Sequence, residues 1–200
     1  MSPLPKGSKR TSERCRIGAI LTVVMMPCSL AAQTPPGNSA ETFTEIAKVL
    51  THPRCLNCHP RDDRPRQGPA EATRLHQMNV QRGHDDGGRT GQRCATCHHE
   101  TNNAASGVPG APHWRLAPLS MGWRGLSTAE LCRTLKDTTK NGNRSLQALI
   151  EHFGTDHLVG WGWEPGAHRA PVPIPRADFV KLVEHWVRTG AECPTSRADR

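Results

Sequence analysis

Two short runs constrain this chain more than anything else in it: Cys55-Leu56-Asn57-Cys58-His59 and Cys94-Ala95-Thr96-Cys97-His98. Each is C-x-x-C-H, the attachment signal for a c-type haem. The spacing has a physical reason. Two thiols three residues apart can reach the two vinyl groups along one edge of a porphyrin and form thioethers, and the histidine that follows then lies under the iron. On this reading Cys55, Cys58, Cys94 and Cys97 attach two covalently bound haem c groups. His59 and His98 are the proximal iron ligands.

Other chemistries use similar spacings. Zinc ribbons pair two C-x-x-C units about 15 to 20 residues apart, whereas 35 residues separate Cys58 from Cys94. A disulfide across three residues is strained and redox-active. Thioredoxin-like chemistry needs a βαβ setting that this sequence does not suggest. A secreted zinc or disulfide module without haem is the structural alternative.

Composition bears on the same point. Only 35% of the 200 residues are hydrophobic, 4% are aromatic and the mean hydropathy is −0.61. A chain so short excludes a large enzyme, and one so polar predicts that porphyrin supplies much of the buried apolar surface. The motifs begin 39 residues apart, too close for the first haem to own a whole domain before the second begins. One fold is therefore expected to hold both.

Residues 1–32 read as a signal peptide: Lys6, Lys9, Arg10, Arg14 and Arg16 precede the uncharged run 17–26, and Ala31-Ala32 offers a cleavage site. The run is too short to span a bilayer comfortably, so no integral membrane span is expected after cleavage. The mature part, 33–200, is expected to be a single periplasmic dihaem domain. Much of the net charge of +8 belongs to the leader, and the remaining Lys and Arg form no stripe interleaved with aromatics. Nucleic-acid binding is not expected.

The expected fold class is mostly α: cytochrome c-like helices and long loops wrapped around two covalent haems, with no substantial sheet. Asn38-x-x-Glu41 is a capping box opening a helix to Leu50, with Phe43, Ile46, Ala47 and Leu50 on one face and Pro53 ending it. A short helix is expected between residues 71 and 80, and an extended wrapping segment over 100–125, punctuated by Pro109, Pro112 and Pro118. Leu126-Ser127-x-x-Glu130-Leu131 combines a capping box and a hydrophobic staple, for a helix to about Lys140. Ser145 opens another that Gly154 stops, and residues 155–175 read as a loop. The last helix, over 176–189, carries Phe179, Leu182, Val183, Trp186 and Val187 on one stripe. Cys132 and Cys193, left over in an oxidising compartment, read as a disulfide pair, the alternative being two buried thiols.

Around the two motifs, the segments His76-Gln77-Met78-Asn79-Val80-Gln81-Arg82-Gly83, Ala117-Pro118-Leu119-Ser120-Met121-Gly122-Trp123 and Leu158-Val159-Gly160-Trp161-Gly162-Trp163-Glu164-Pro165-Gly166 resemble the small dihaem proteins catalogued as an isoquinoline 1-oxidoreductase subunit. The resemblance covers most of the mature chain. It implies a redox partner protein such as a periplasmic molybdenum hydroxylase, whose electrons would leave through this cytochrome.

The sixth position of each iron is expected to take His or Met if the protein only carries electrons. His76, in the link between the motifs and in a segment of the resemblance, is the distal candidate for one iron. Met121, in a loop whose Pro118 and Trp123 could pack on a ring edge, is the candidate for the other. Met78 and His152 stand in reserve, and His99 and His185 are expected to be solvated. Trp161 and Trp163 are read as core packing ahead of an electron exit. No catalytic residue is identified. The functional expectation is an electron-transfer protein linking a dehydrogenase or hydroxylase to the respiratory chain. A dihaem peroxidase or small-ligand reductase with one open iron is the rival.

Overall fold

Asn38 opens the first helix of the computed structural model, which describes residues 37–195; the expected leader, 1–32, with Cys15 and Cys28, lies outside the described residues. The Asn38 backbone is extended and its side-chain oxygen accepts the Glu41 N–H at 2.8 Å, satisfying one of the donors that a helix start leaves free. Helix α1 (Ser39–Leu50) turns Phe43, Ile46, Ala47 and Leu50 inward as its spacing predicts, and Val49 with them. Pro53 ends nothing by itself: it is the first residue of the one-turn helix α2 (Pro53–Leu56), where its missing N–H costs no hydrogen bond.

Residues 57–125 are mostly irregular. Two-residue strands β1 (Arg66–Gln67) and β2 (Arg74–Leu75) pair antiparallel and form the sheet of the described residues. The helix expected between residues 71 and 80 does not form. Its backbone donors are taken sideways, His76 N–H by Pro65 O at 2.9 Å and Gln77 N–H by Gln67 Oε1 at 3.3 Å. Met78 and Asn79 then adopt left-handed φ of 61° and 55°, which no α-helix contains. Arg82 holds the surrounding loops together from inside. It is buried, donating to Asp86 Oδ1 at 2.6 Å, to Asp62 O at 3.2 Å and to Ala117 O.

Helix α3 (Thr128–Lys136) starts on the expected capping box: Ser127 Oγ accepts the Glu130 N–H, and Glu130 Oε2 accepts the Ser127 N–H at 2.7 Å. It stops short of Lys140, because Asp137 turns extended and its carboxylate takes the Thr139 N–H and hydroxyl. Asn141 is buried behind that turn, its amide bridging Leu135 O and Arg144 O at 2.7 and 2.8 Å. Helix α4 (Leu146–Thr155) runs through Gly154. Asp156 then closes α4 and caps the one-turn α5 (His157–Gly160), a helical turn inside the expected loop 155–175. Helix α6 (Arg176–Arg188) closes the domain and buries Phe179, Val183 and Trp186, with Leu182 and Val187 at the margin.

The core lies where α1 and α4 pack on α6 and α3 packs on α1. All three phenylalanines are in it: Phe43 faces Trp186 at 5.0 Å and Phe153 faces Phe179 at 5.2 Å. The helices thus supply a core of their own, more than the composition suggested. The two ends of the described residues are tied across it. Ser39 Oγ donates to Trp186 O and accepts the Glu192 N–H, and Cys132 and Cys193 are bonded. No helix of the described residues is long and apolar enough to cross a membrane.

Candidate functional site

Each C-x-x-C-H run forms a single helical turn closed on its first cysteine. In the first, Cys55 O accepts the N–H of Cys58 at 3.1 Å and of His59 at 3.2 Å. In the second, Cys94 O accepts those of Cys97 at 3.2 Å and His98 at 2.9 Å. Positions i, i+3 and i+4 of such a turn share a face, so both thiols and the imidazole of each motif lie on one side. His52 caps the first turn, its Nδ1 accepting the Arg54 N–H at 3.3 Å. All four motif thiols are unbonded, in contrast to the Cys132–Cys193 disulfide.

The two imidazoles are held alike. His59 Nδ1 lies 2.8 Å from Met121 O, and His98 Nδ1 lies 2.7 Å from Pro109 O. A carbonyl oxygen only accepts, so the proton sits on Nδ1 and the lone pair on Nε2, the arrangement in which an outer partner prepares a histidine for a metal. An indole stacks on each ring, Trp123 on His59 at 3.5 Å and 12°, and Trp114 on His98 at 4.5 Å and 7°. The irregular segment 100–125 therefore supplies both carbonyls and both indoles. This is its structural purpose, and no periodic signal in the sequence announces it.

Burial favours the neutral form of both imidazoles and of Cys55, Cys58 and Cys94. It lowers His59 to about 4, against a smaller opposing effect of the Met121 carbonyl, and lowers His98 in the same way. It pushes the Cys55 thiol up to about 12; burial and then the nearby Cys94 push Cys58 up to about 11, and Cys94 is raised as well. The influence of Cys94 on Cys58 also means that the two motifs adjoin.

His76 is brought to the second motif. Its ring centre lies 5.9 Å from that of His98, with the planes at 71°, and its Nδ1 lies 2.9 Å from Gln77 O, so Nε2 is again the nitrogen left over. Two imidazoles that ligate one metal from opposite sides, through bonds of about 2 Å, have ring centres roughly 6 Å apart. Met121 is brought to the first motif, but through its backbone. Its carbonyl occupies the Nδ1 side of His59, and its side chain is buried in the helical core, only 5% exposed. Met78 is 75% exposed. His152 is half-buried on α4, with Nδ1 3.4 Å from Asp156 Oδ2. His99 is exposed as expected, whereas His185 is half-buried, its Nδ1 3.2 Å from Arg188 Nη2. Trp161 and Trp163 pack inside, donating to Asn102 Oδ1 and Ile174 O. Trp161 also touches Trp114 edge-on at 5.0 Å and carries Arg54 over its ring.

A cleft of about 270 Å³ opens beside His98, with Ala95, Arg93, Ala111 and Trp114 in its wall. Among the described residues no group of three or more His, Cys, Asp or Glu side chains gathers in a way that would hold a bare metal ion. A porphyrin supplies four nitrogens itself, so its iron asks the protein for only one or two ligands. One prepared imidazole and two free thiols per motif fit that demand. Compared with models of known families, with curated proteins and with solved structures, the chain matches none of them.

Proposed function

We propose that this chain is an exported dihaem c-type cytochrome that carries single electrons. What supports the reading above all is that both C-x-x-C-H runs coil into one turn with the histidine Nδ1 fixed on a loop carbonyl and Nε2 free. Cys55 and Cys58 would hold one haem as thioethers, Cys94 and Cys97 the other, and His59 and His98 would each ligate an iron through Nε2. His76 would supply the second protein ligand to the iron of His98. Iron supplies the chemistry by cycling between ferric and ferrous forms. The protein fixes ligand orientation, stacks Trp114 and Trp123 on the two imidazoles, excludes water with the buried Trp123, and keeps the imidazoles neutral through burial. The partner implied by the family resemblance, a periplasmic molybdenum hydroxylase, would be the electron donor, and the respiratory chain the destination.

One observation favours a second reading at the other iron. Met121 meets His59 at Nδ1, the nitrogen turned away from the metal, so its side chain is a poor sixth ligand there. An open position would suit a small-ligand reductase or peroxidase.

A pyridine haemochrome assay on the full chain exported with its maturation machinery is expected to give two covalent haems per polypeptide. Colourless protein would overturn the proposal. Carbon monoxide added to the reduced protein then separates the readings: no binding supports a carrier, and prompt binding at one haem supports the second.

A further inference from the structure

Of the five tryptophans, three donate their indole N–H to a protein oxygen: Trp161 to Asn102 Oδ1, Trp163 to Ile174 O and Trp186 to Glu192 O. Trp114 is half-exposed and can use solvent. Trp123 differs from all of them. It is 96% buried, at 4% exposure, yet its Nε1–H has no acceptor among the described residues. A buried donor without a partner loses its hydration and regains nothing, which folded proteins rarely tolerate. The orphan donor also stands at a particular address. Its ring lies 3.5 Å from, and within 12° of parallel to, the imidazole of His59, and its backbone N–H donates to His59 O at 3.0 Å.

We infer that the Trp123 indole N–H donates to a propionate carboxylate of the haem attached at Cys55 and Cys58. The inference rests on the haem reading above and goes beyond it by giving that haem's carboxylate a protein partner. The chemistry is selective. The four porphyrin nitrogens are occupied by iron and the vinyl groups by sulfur, so the propionates are the only strong acceptors that such a group brings. An anionic acceptor also strengthens the hydrogen bond relative to a neutral one. Arg124, the next residue, is half-buried; its Nη2 donates to Asn57 Oδ1 at 3.5 Å while its Nε is also unpartnered, and it adds a positive charge next in sequence to Trp123. No proton is transferred: the indole keeps its hydrogen, and the bond fixes the carboxylate and spreads its charge. By spreading that negative charge, Trp123 would act as a positioning residue for the first haem and raise its potential.

The test uses the full matured chain with Trp123→Phe, which keeps the aromatic stack and removes the donor, beside Trp114→Phe. Haem content by pyridine haemochrome comes first, because absence of haem from the wild type overturns the proposed function itself. With two haems bound, the expected result for Trp123→Phe is one lowered midpoint potential and a shifted propionate bending mode in resonance Raman spectra, while Trp114→Phe leaves that mode unmoved. Two haems with unchanged potentials and an unchanged mode would overturn the inference alone and assign the donor to a buried water only. Should Trp123→Phe not accumulate, the wild type serves, labelled with nitrogen-15 at its indoles. A Trp123 N–H protected from solvent exchange and displaced on haem reduction supports the inference, and exchange as fast as that of Trp114 overturns it.

Discussion

His76 and His98 carry the sharpest prediction at the scale of single residues. With ring centres 5.9 Å apart and both Nδ1 atoms on carbonyls, the two imidazoles are each left with a free Nε2, the pair that the proposed function assigns to one iron. Methionine in place of one histidine raises a haem potential. His76→Met is therefore expected to raise one midpoint potential and leave the other in place, read by spectroelectrochemical titration; two unmoved potentials would remove His76 from the iron. His52 makes a prediction about pH. Its Nδ1 accepts the Arg54 N–H, which only the neutral ring can do, and burial followed by the Arg54 charge lowers its pKa below 6.5. A lowered histidine pKa means that the unfolded chain binds the extra proton first. The cap's contribution is therefore intact above 6.5 and is lost as pH falls through the lower, folded value. His52→Asn keeps a capping side chain without titrating. Its urea midpoint is expected to fall less than that of the wild type between neutral and mildly acid pH, and parallel curves would refute the assignment.

At the scale of elements, the helices follow their caps. Ser127 and Glu130 exchange hydrogen bonds at the start of α3, and the chain turns helical there. Removing an N-cap hydroxyl costs about 0.5–2 kcal/mol. Ser127→Ala is expected to lower stability by that order in denaturant titrations, with Ser127→Asp restoring most of it. The caps of α1, α3 and α4 were legible because their signals are local: a side chain three residues from its target needs nothing from elsewhere in the chain. The failures share the opposite cause. The stretch between residues 71 and 80 has helix-forming composition, but its donors go to Pro65 and Gln67, partners about ten residues back in sequence. Asp137 ends α3 early by accepting from Thr139, a competition between side chain and helix that propensity alone does not resolve. The one-turn α5 lies below the length at which periodicity can be read.

The whole molecule divides its labour. Helices α1, α3, α4 and α6 make a core that stands on Phe43, Leu131, Leu149, Phe179 and Trp186, while the one-turn α2 and the irregular residues 57–125 carry the candidate haem chemistry around the buried Arg82. The Cys132–Cys193 bond ties α3 to the C-terminal segment over a sequence separation of 61 residues. Closing a loop of that size is worth about 4 kcal/mol in the chain-entropy model. The double replacement Cys132→Ala, Cys193→Ala is expected to lower unfolding free energy by that order without changing the haem count per chain, since neither sulfur belongs to the motifs. Loss of one haem in that variant would show that the core and the loops are not separable in this way.

By itself the sequence determined what depends on neighbours along the chain: the turns of the two C-x-x-C-H runs, the caps, and the apolar stripes of α1 and α6. Tertiary structure alone decided which carbonyl meets each imidazole, that Trp123 and Trp114 stack on those rings, that His76 comes to His98, and that Met121 offers His59 its backbone and not its sulfur. The physical reason is range. A helical turn is fixed by bonds between residues three or four apart. A loop has no period, and its side chains acquire partners only once the helices have set where its two ends lie.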